Sequence, residues 1–230
     1  MKKTFAALAL AAALMPFTAA QAATISFNDA TGLQKTGWTV GLRLGMFDSN
    51  LGTLNSIQFD LGGLVRGNGW AESDDAAATK VGLTIGSVLS LMRPDGGVLV
   101  VTNPAFTHIF QFSASDGVLD FGGASGGRTG TIETRAVESF VSTFVSDFGL
   151  FSAKGGGLID LGVKADSQWT ATGPGNLTAG ASTFALGDVK ITYDYTPFAV
   201  EVPEPATLAT IFAGLGLMGA VRRRQAGKKA

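Results

Sequence analysis

Residues 188–195 read Asp-Val-Lys-Ile-Thr-Tyr-Asp-Tyr. Val189, Ile191, Tyr193 and Tyr195 share one face, and Asp188, Lys190, Thr192 and Asp194 the other. Strict alternation of this kind marks a strand with one face on a core and one in water. The same period recurs in Trp38, Val40, Leu42, Leu44 and Met46, which face away from Thr39, Gly41, Arg43 and Gly45. It recurs again in Ile57, Phe59 and Leu61, in Val81, Leu83 and Ile85, and in Phe106, Phe110 and Phe112. Turn pairs punctuate these runs: Asn68-Gly69, Asp95-Gly96 and Asp116-Gly117. Many short alternating strands without helix–strand alternation predict an all-β fold, a single antiparallel β-sandwich.

One segment breaks the pattern. Val137, Phe140, Val141, Phe144, Val145 and Phe148 follow helical spacing, although their residue types favour strand. The spacing predicts a short helix packed on the sandwich edge over 137–148. The glycine-rich stretches 122–130 and 173–180 read as loops within one domain over 23–197.

The ends read differently from the body. Lys2 and Lys3 precede an unbroken apolar run from Phe5 to Leu14, then Pro16 and Ala20-Gln21-Ala22. This order predicts a secretory signal peptide over 1–22, cut by signal peptidase between Ala22 and Ala23. At the other end, Ala206 to Val221 is uncharged, and Arg222, Arg223 and Arg224 follow at once. Such a run predicts a short transmembrane helix with its basic flank held inside. Between the two ends, residues 23–202 hold ten Lys and Arg against seventeen Asp and Glu, a net charge of −7. An acidic body disfavours nucleic acid.

Val202-Pro203-Glu204-Pro205, the apolar helix and the arginine cluster together resemble a PEP-CTERM sorting signal, here over 198–230. The resemblance implies an exported protein of an exopolysaccharide-producing Gram-negative bacterium. It also implies exosortase as processing partner, with Pro203, Glu204, Pro205 and Arg222 to Arg224 as recognition residues. The implied location is the inner membrane for the precursor, then the cell surface or the extracellular, biofilm-type matrix. Within the body, Leu44-Gly-Met-Phe-Asp-Ser-Asn-Leu-Gly-Thr-Leu-Asn-Ser-Ile57 resembles choice-of-anchor E domains. Phe47, Asp48, Leu51, Gly52 and Leu54 match that motif, and Ser49 stands where the family has Pro. This resemblance implies a sandwich and assigns no activity.

Signals for chemistry are sparse. The chain has no Cys and one His, which excludes disulfides, thiolate metal sites and a Cys nucleophile. Gly122-Gly-Ala-Ser-Gly-Gly-Arg-Thr129 imitates a phosphate loop, but Arg128 stands where the Lys is required. Gly214-x-Gly216-x-x-Gly219 lies inside the apolar tail, where small residues serve helix packing. The lone His108 is in phase with three Phe residues and has no ligand partner in its pattern. The expectation is therefore no catalytic residue, no metal centre and no cofactor. The acidic loop at Glu72, Asp74 and Asp75 offers oxygen ligands for at most a weak Ca²⁺ site. Trp70 and Trp169, beside polar loops, are the candidate ligand contacts. They leave open a carbohydrate-binding module, with exopolysaccharide as partner, beside the leading expectation of a non-enzymatic surface or matrix protein.

Overall fold

In the computed structural model, residues 22–173, 175–198 and 214–215 are described. The expected signal peptide, except Ala22, and the expected sorting tail, except Phe198, Gly214 and Leu215, lie outside them. The body, ending at Pro197, is one compact unit.

Thirteen strands and one helix are described in the body. The first seven strands are β1 (Ala23–Ala30), β2 (Gln34–Lys35), β3 (Trp38–Gly45), β4 (Phe47–Asp48), β5 (Gly52–Ser73), β6 (Thr79–Met92) and β7 (Val98–Thr102). Then come β8 (Ala105–Phe112), β9 (Gly126–Arg128), β10 (Ile132–Ser142), α1 (Val145–Phe151), β11 (Ser152–Ala153), β12 (Leu158–Thr172) and β13 (Leu177–Pro197). One antiparallel sheet has the order β1-β13-β5-β10, with β2 on β13 and β9 on β5. The other has the order β3-β12-β6-β7, with β8 on β6. A short parallel pair joins β4 to β11.

The alternation in the sequence places the core. Phe59, Leu61, Val189, Ile191 and Tyr193 of the first sheet meet Leu42, Leu44, Leu89, Leu91, Leu161 and Val163 of the second in one buried cluster. A second cluster gathers Ala71, Val81, Leu83, Ile85, Phe110 and Phe112. Between the two, the first sheet turns glycine inward. A Cβ on Gly69 would stand 2.5 Å from Ile85 and Leu83, and one on Gly63 would stand 2.8 Å from Thr102. The sheets therefore approach more closely here than paired side chains would allow. Tyr193 is fully buried; its Oη donates to the Gly45 carbonyl at 2.9 Å, and burial pushes its phenol pKa up.

The motif around Phe47 is built into this frame. Phe47 packs on Tyr193 and Tyr195 at 5.9 and 5.0 Å. Asp48 Oδ1 accepts from the backbone N–H of Asn50 and of Gly155, closing the turn after β4. Gly52 lies against the Thr196 carbonyl, where a Cβ has no room.

Four local expectations need correction, and the first is the turn expected at Asn68-Gly69, which lies within β5, paired with Ser182 and Ala181 of β13. The segment expected as a helix over 137–148 is strand to Ser142, and helix only from Val145 to Phe151. Eleven in-register pairs with β5, from Ile132↔Gly67 to Ser142↔Ile57, hold it extended, and Phe140 stacks on Phe59. Val137 and Val141 face solvent from this edge strand, 63% and 53% exposed. The stretch 122–130 contains β9, paired as Trp70↔Arg128 to Glu72↔Gly126. The stretch 173–180 runs into β13, where Gly180 pairs with Trp70 and is covered by its indole.

Candidate functional site

The most chemically loaded part of the described structure is the end of the first sheet where β5 reaches Ser73. Gly69 and Ala71 of β5 point into the sandwich, so Trp70 and Glu72 point outward. Residues 113–125 connect β8 of one sheet to β9 of the other and fold across this outward face. The connection is tied down at both ends. Ser115 N donates to the Asp75 carbonyl at 2.7 Å, and Ser73 N donates to the Ser125 carbonyl at 2.9 Å. Side chains shape its interior: Asp116 Oδ1 accepts from Val118 N, and Asp120 Oδ1 from Gly122 N.

Under this cover Glu72 is 0% exposed. Ser125 Oγ donates to Glu72 Oε1 at 2.7 Å and itself accepts from Asp116 N. Glu72 Oε2 is buried, has no hydrogen-bond partner among the described residues, and lies against Gly126, where a Cβ would collide with it. Asp75 Oδ1 accepts from Asn176 Nδ2, while its Oδ2 is likewise buried and without a partner. Asp74, grouped with these two by sequence, is exposed; its N–H donates to the Asn176 carbonyl.

Beside the acids stands an aromatic step. Trp70 and Phe121 meet edge to face at 6.3 Å, and the Arg128 guanidinium sits 5.6 Å from the centre of the Phe121 ring. Phe121 adopts φ +56°, a conformation rare for a bulky side chain. Trp169 is elsewhere. It lies on β12 of the other sheet, 43% exposed, at a depression of about 120 Å³ shared with Thr84, Gly86, Ala105, Gln168 and Thr170. The two tryptophans are thus on different sheets and do not form one site. A third feature, absent from the sequence reading, is a depression of about 180 Å³ lined by Arg66, Gly67, Asn68, Thr131, Ser182 and the exposed Phe184. His108 makes an edge-to-face contact with Phe110 at 4.5 Å. Among the described residues no three His, Cys, Asp or Glu side chains converge as a metal centre, and no helix is long and apolar enough to cross a membrane.

A buried ion pair outside this region anchors α1. Arg93 Nε and Nη2 donate to the two carboxylate oxygens of Asp147, both at 3.0 Å, and Ser142 Oγ adds a further bond. Burial pushes the Asp147 carboxyl up. The Arg93 and Ser142 hydrogen bonds and the Arg93 charge outweigh that and leave it below the usual carboxylate range.

Comparison with known proteins adds one feature of sequence and little of structure. No curated protein gives a significant match to the chain. Among solved structures it is similar to the dimeric latent PorU from Porphyromonas gingivalis, at 9% identity and a TM-score of 0.26, covering 74% of this chain and 13% of that one. It is similar to the STIV MCP at 13% identity and a TM-score of 0.26, covering 76% and 49%. It is also similar to the structure of infectious bursal disease virus Gx strain, at 13% identity and a TM-score of 0.18, covering 85% and 47%. The chain spans about half or less of each, and at these TM-scores the likenesses carry no argument. Residues 201–225, in contrast, match the PEP-CTERM protein-sorting motif. The sorting residues Pro203, Glu204, Pro205 and Arg222 to Arg224 all fall within that match. The chain therefore carries the sorting motif of an exported protein, with exosortase as the processing partner it implies.

Proposed function

We propose that this chain is a non-enzymatic surface or extracellular-matrix protein. Its sandwich, of choice-of-anchor E type, is exported behind the 1–22 signal peptide, and its tail is processed by exosortase. The sorting motif at 201–225 is the observation that carries the reading. Two boundaries support it: β1 begins at Ala23, directly after the expected first cut, and β13 ends at Pro197, just before the motif. The mechanism is one of presentation. Arg222 to Arg224 hold the tail on the inner side, and the apolar run parks it in the bilayer. Pro205 restricts Glu204, and Pro203 restricts Val202, to extended geometry that suits a peptide groove.

Intact mass of the protein from envelope and medium fractions tests this. A species beginning at Ala23 and ending near Pro205 is expected. The double variant Pro203→Ala/Glu204→Ala should instead accumulate precursor. Mature protein that still includes Arg222 to Ala230 would defeat the processing claim.

A second reading, an extracellular carbohydrate-binding module for exopolysaccharide, is favoured by the exposed Trp169 and by the Trp70–Phe121–Arg128 step. Because the tryptophans are on different sheets, one substitution should abolish glycan retention and the other leave it intact. A glycan pull-down comparing Trp70→Ala with Trp169→Ala checks this; unchanged retention in both rejects these surfaces.

A further inference from the structure

We propose that Glu72 and Asp75 hold a calcium ion beneath the 113–125 connection. The first ground is an unbalanced charge. Glu72 is fully buried, only one of its oxygens is hydrogen-bonded, and no Lys or Arg among the described residues pairs with it or with Asp75. Buried carboxylates are normally paired with a cation or bind a metal, and an oxygen left bare inside a protein is costly. The second ground is that a second bare carboxylate oxygen lies under the same connection. Glu72 Oε2 and Asp75 Oδ2 are both buried and without a partner among the described residues, and the same connection covers both residues through Ser125 and Ser115. Two carboxylates match the charge of one divalent cation.

Donor chemistry selects the ion. The donors established here are the two carboxylates, the Ser125 hydroxyl and the Asp75 and Ser125 carbonyls, with no Cys or His among them. That is a hard-oxygen set, which suits calcium. Magnesium demands a stricter octahedron and keeps its waters, so it competes poorly for a partly dehydrated site. With only two acidic side chains, the remaining ligands are carbonyls and water. The low ligand charge places affinity in the 10⁻⁴–10⁻³ M range of extracellular modules. Bound there, the ion would fasten the connection that carries Phe121 to the end of β5. This inference does not depend on how the tail is processed.

The test uses the full chain, purified in detergent, stripped with EDTA and titrated with CaCl₂, with MgCl₂ as control. Trp70, two residues from Glu72, gives a fluorescence signal. Saturable binding is expected, with a thermal midpoint raised by about 3–5 °C at ten times the dissociation constant. Glu72→Gln should weaken calcium binding at least tenfold. In EDTA its midpoint should equal or exceed that of the native protein, because a neutral amide is easier to bury than a bare carboxylate. Asp75→Asn should also weaken binding about tenfold; it lies on a partly exposed loop and decides the matter alone if Glu72→Gln does not fold. Absence of any calcium response up to tenfold above that range, or an unchanged response in the folded variants, overturns the proposal.

Discussion

At the scale of single residues, much of this protein is explained by what glycine makes room for. Gly69 sits on the inward face of β5 with Ile85 and Leu83 directly opposite. Gly69→Val should cost about 1–3 kcal/mol by overpacking. Gly117, in an open turn with nothing near its Cβ direction, tests a different property. Its φ of +81° disfavours any side chain, so Gly117→Ala should cost about 1 kcal/mol through strain alone. Chemical denaturation of both variants checks the pair, and equal small losses would mean that the sheets can spread at Gly69. Little of this was legible beforehand. The Asn68-Gly69 pair resembles a turn, yet it lies mid-strand, because the distant strand β6 determines how close the backbone must come. The burial of Glu72 was equally hidden, since its cover comes from a connection more than forty residues away.

At the scale of elements, β10 and α1 show why one stretch resisted reading. Apolar residues occur on both faces of 137–148, which satisfies helical spacing and strand composition together. Pairing with β5 decided for strand, and the chain became helical only after Ser142, where that pairing ends. The strands whose alternation was clean, β3, β6 and β13, were legible because buried residues alternate with more exposed ones along each. The helix is held by the Arg93–Asp147 pair, which joins it to the turn after β6. Asp147 is the more buried partner, its side chain 5% exposed against 21% for Arg93. Removing the arginine strands a buried carboxylate, so Arg93→Met should cost about 3–5 kcal/mol, and Asp147→Asn about 1–3 kcal/mol. The pH dependence has a definite sign. The folded Asp147 pKa lies below its unfolded value of about 3.9, so its contribution is complete above that value and is lost as pH falls through the folded one. Thermal midpoints between pH 6 and pH 2 should show this acid loss in the native protein and lack that component in Asp147→Asn. Identical acid profiles would remove Asp147 from the account.

At the scale of the whole molecule, the topology is closed by its last strand. β13 lies between β1 and β5; it pairs with β5 from Leu177 to Pro197 and with β1 from Asp188 to Tyr195. Ala23 at the start of the body pairs with Tyr195 near its end. A chain truncated after Thr172 therefore loses the centre of one sheet, and leaves β1 with no neighbour in it. Its far-ultraviolet circular dichroism should be that of an unfolded chain; a retained sheet spectrum would show that the second sheet folds alone. The all-β, antiparallel character was legible from alternation. The order of strands was not, because it depends on which distant partner each strand meets. Of the functional features, the sorting motif was the most legible, since an enzyme reads it as a linear peptide and no folding is needed to assemble it.

The position of β13 also sets the clearance available to that enzyme. Regular strand continues to Pro197, and Pro203 follows six residues later. Six residues reach at most about 20–22 Å when fully extended. A protease that cuts at Pro203–Pro205 must bring its catalytic groups that close to a folded sheet, or act before the final pairs of β13 with β1 and β5 have formed. Lengthening the 198–202 spacer would relieve such crowding, whereas shortening it would set folding and cutting in direct competition for the same few residues.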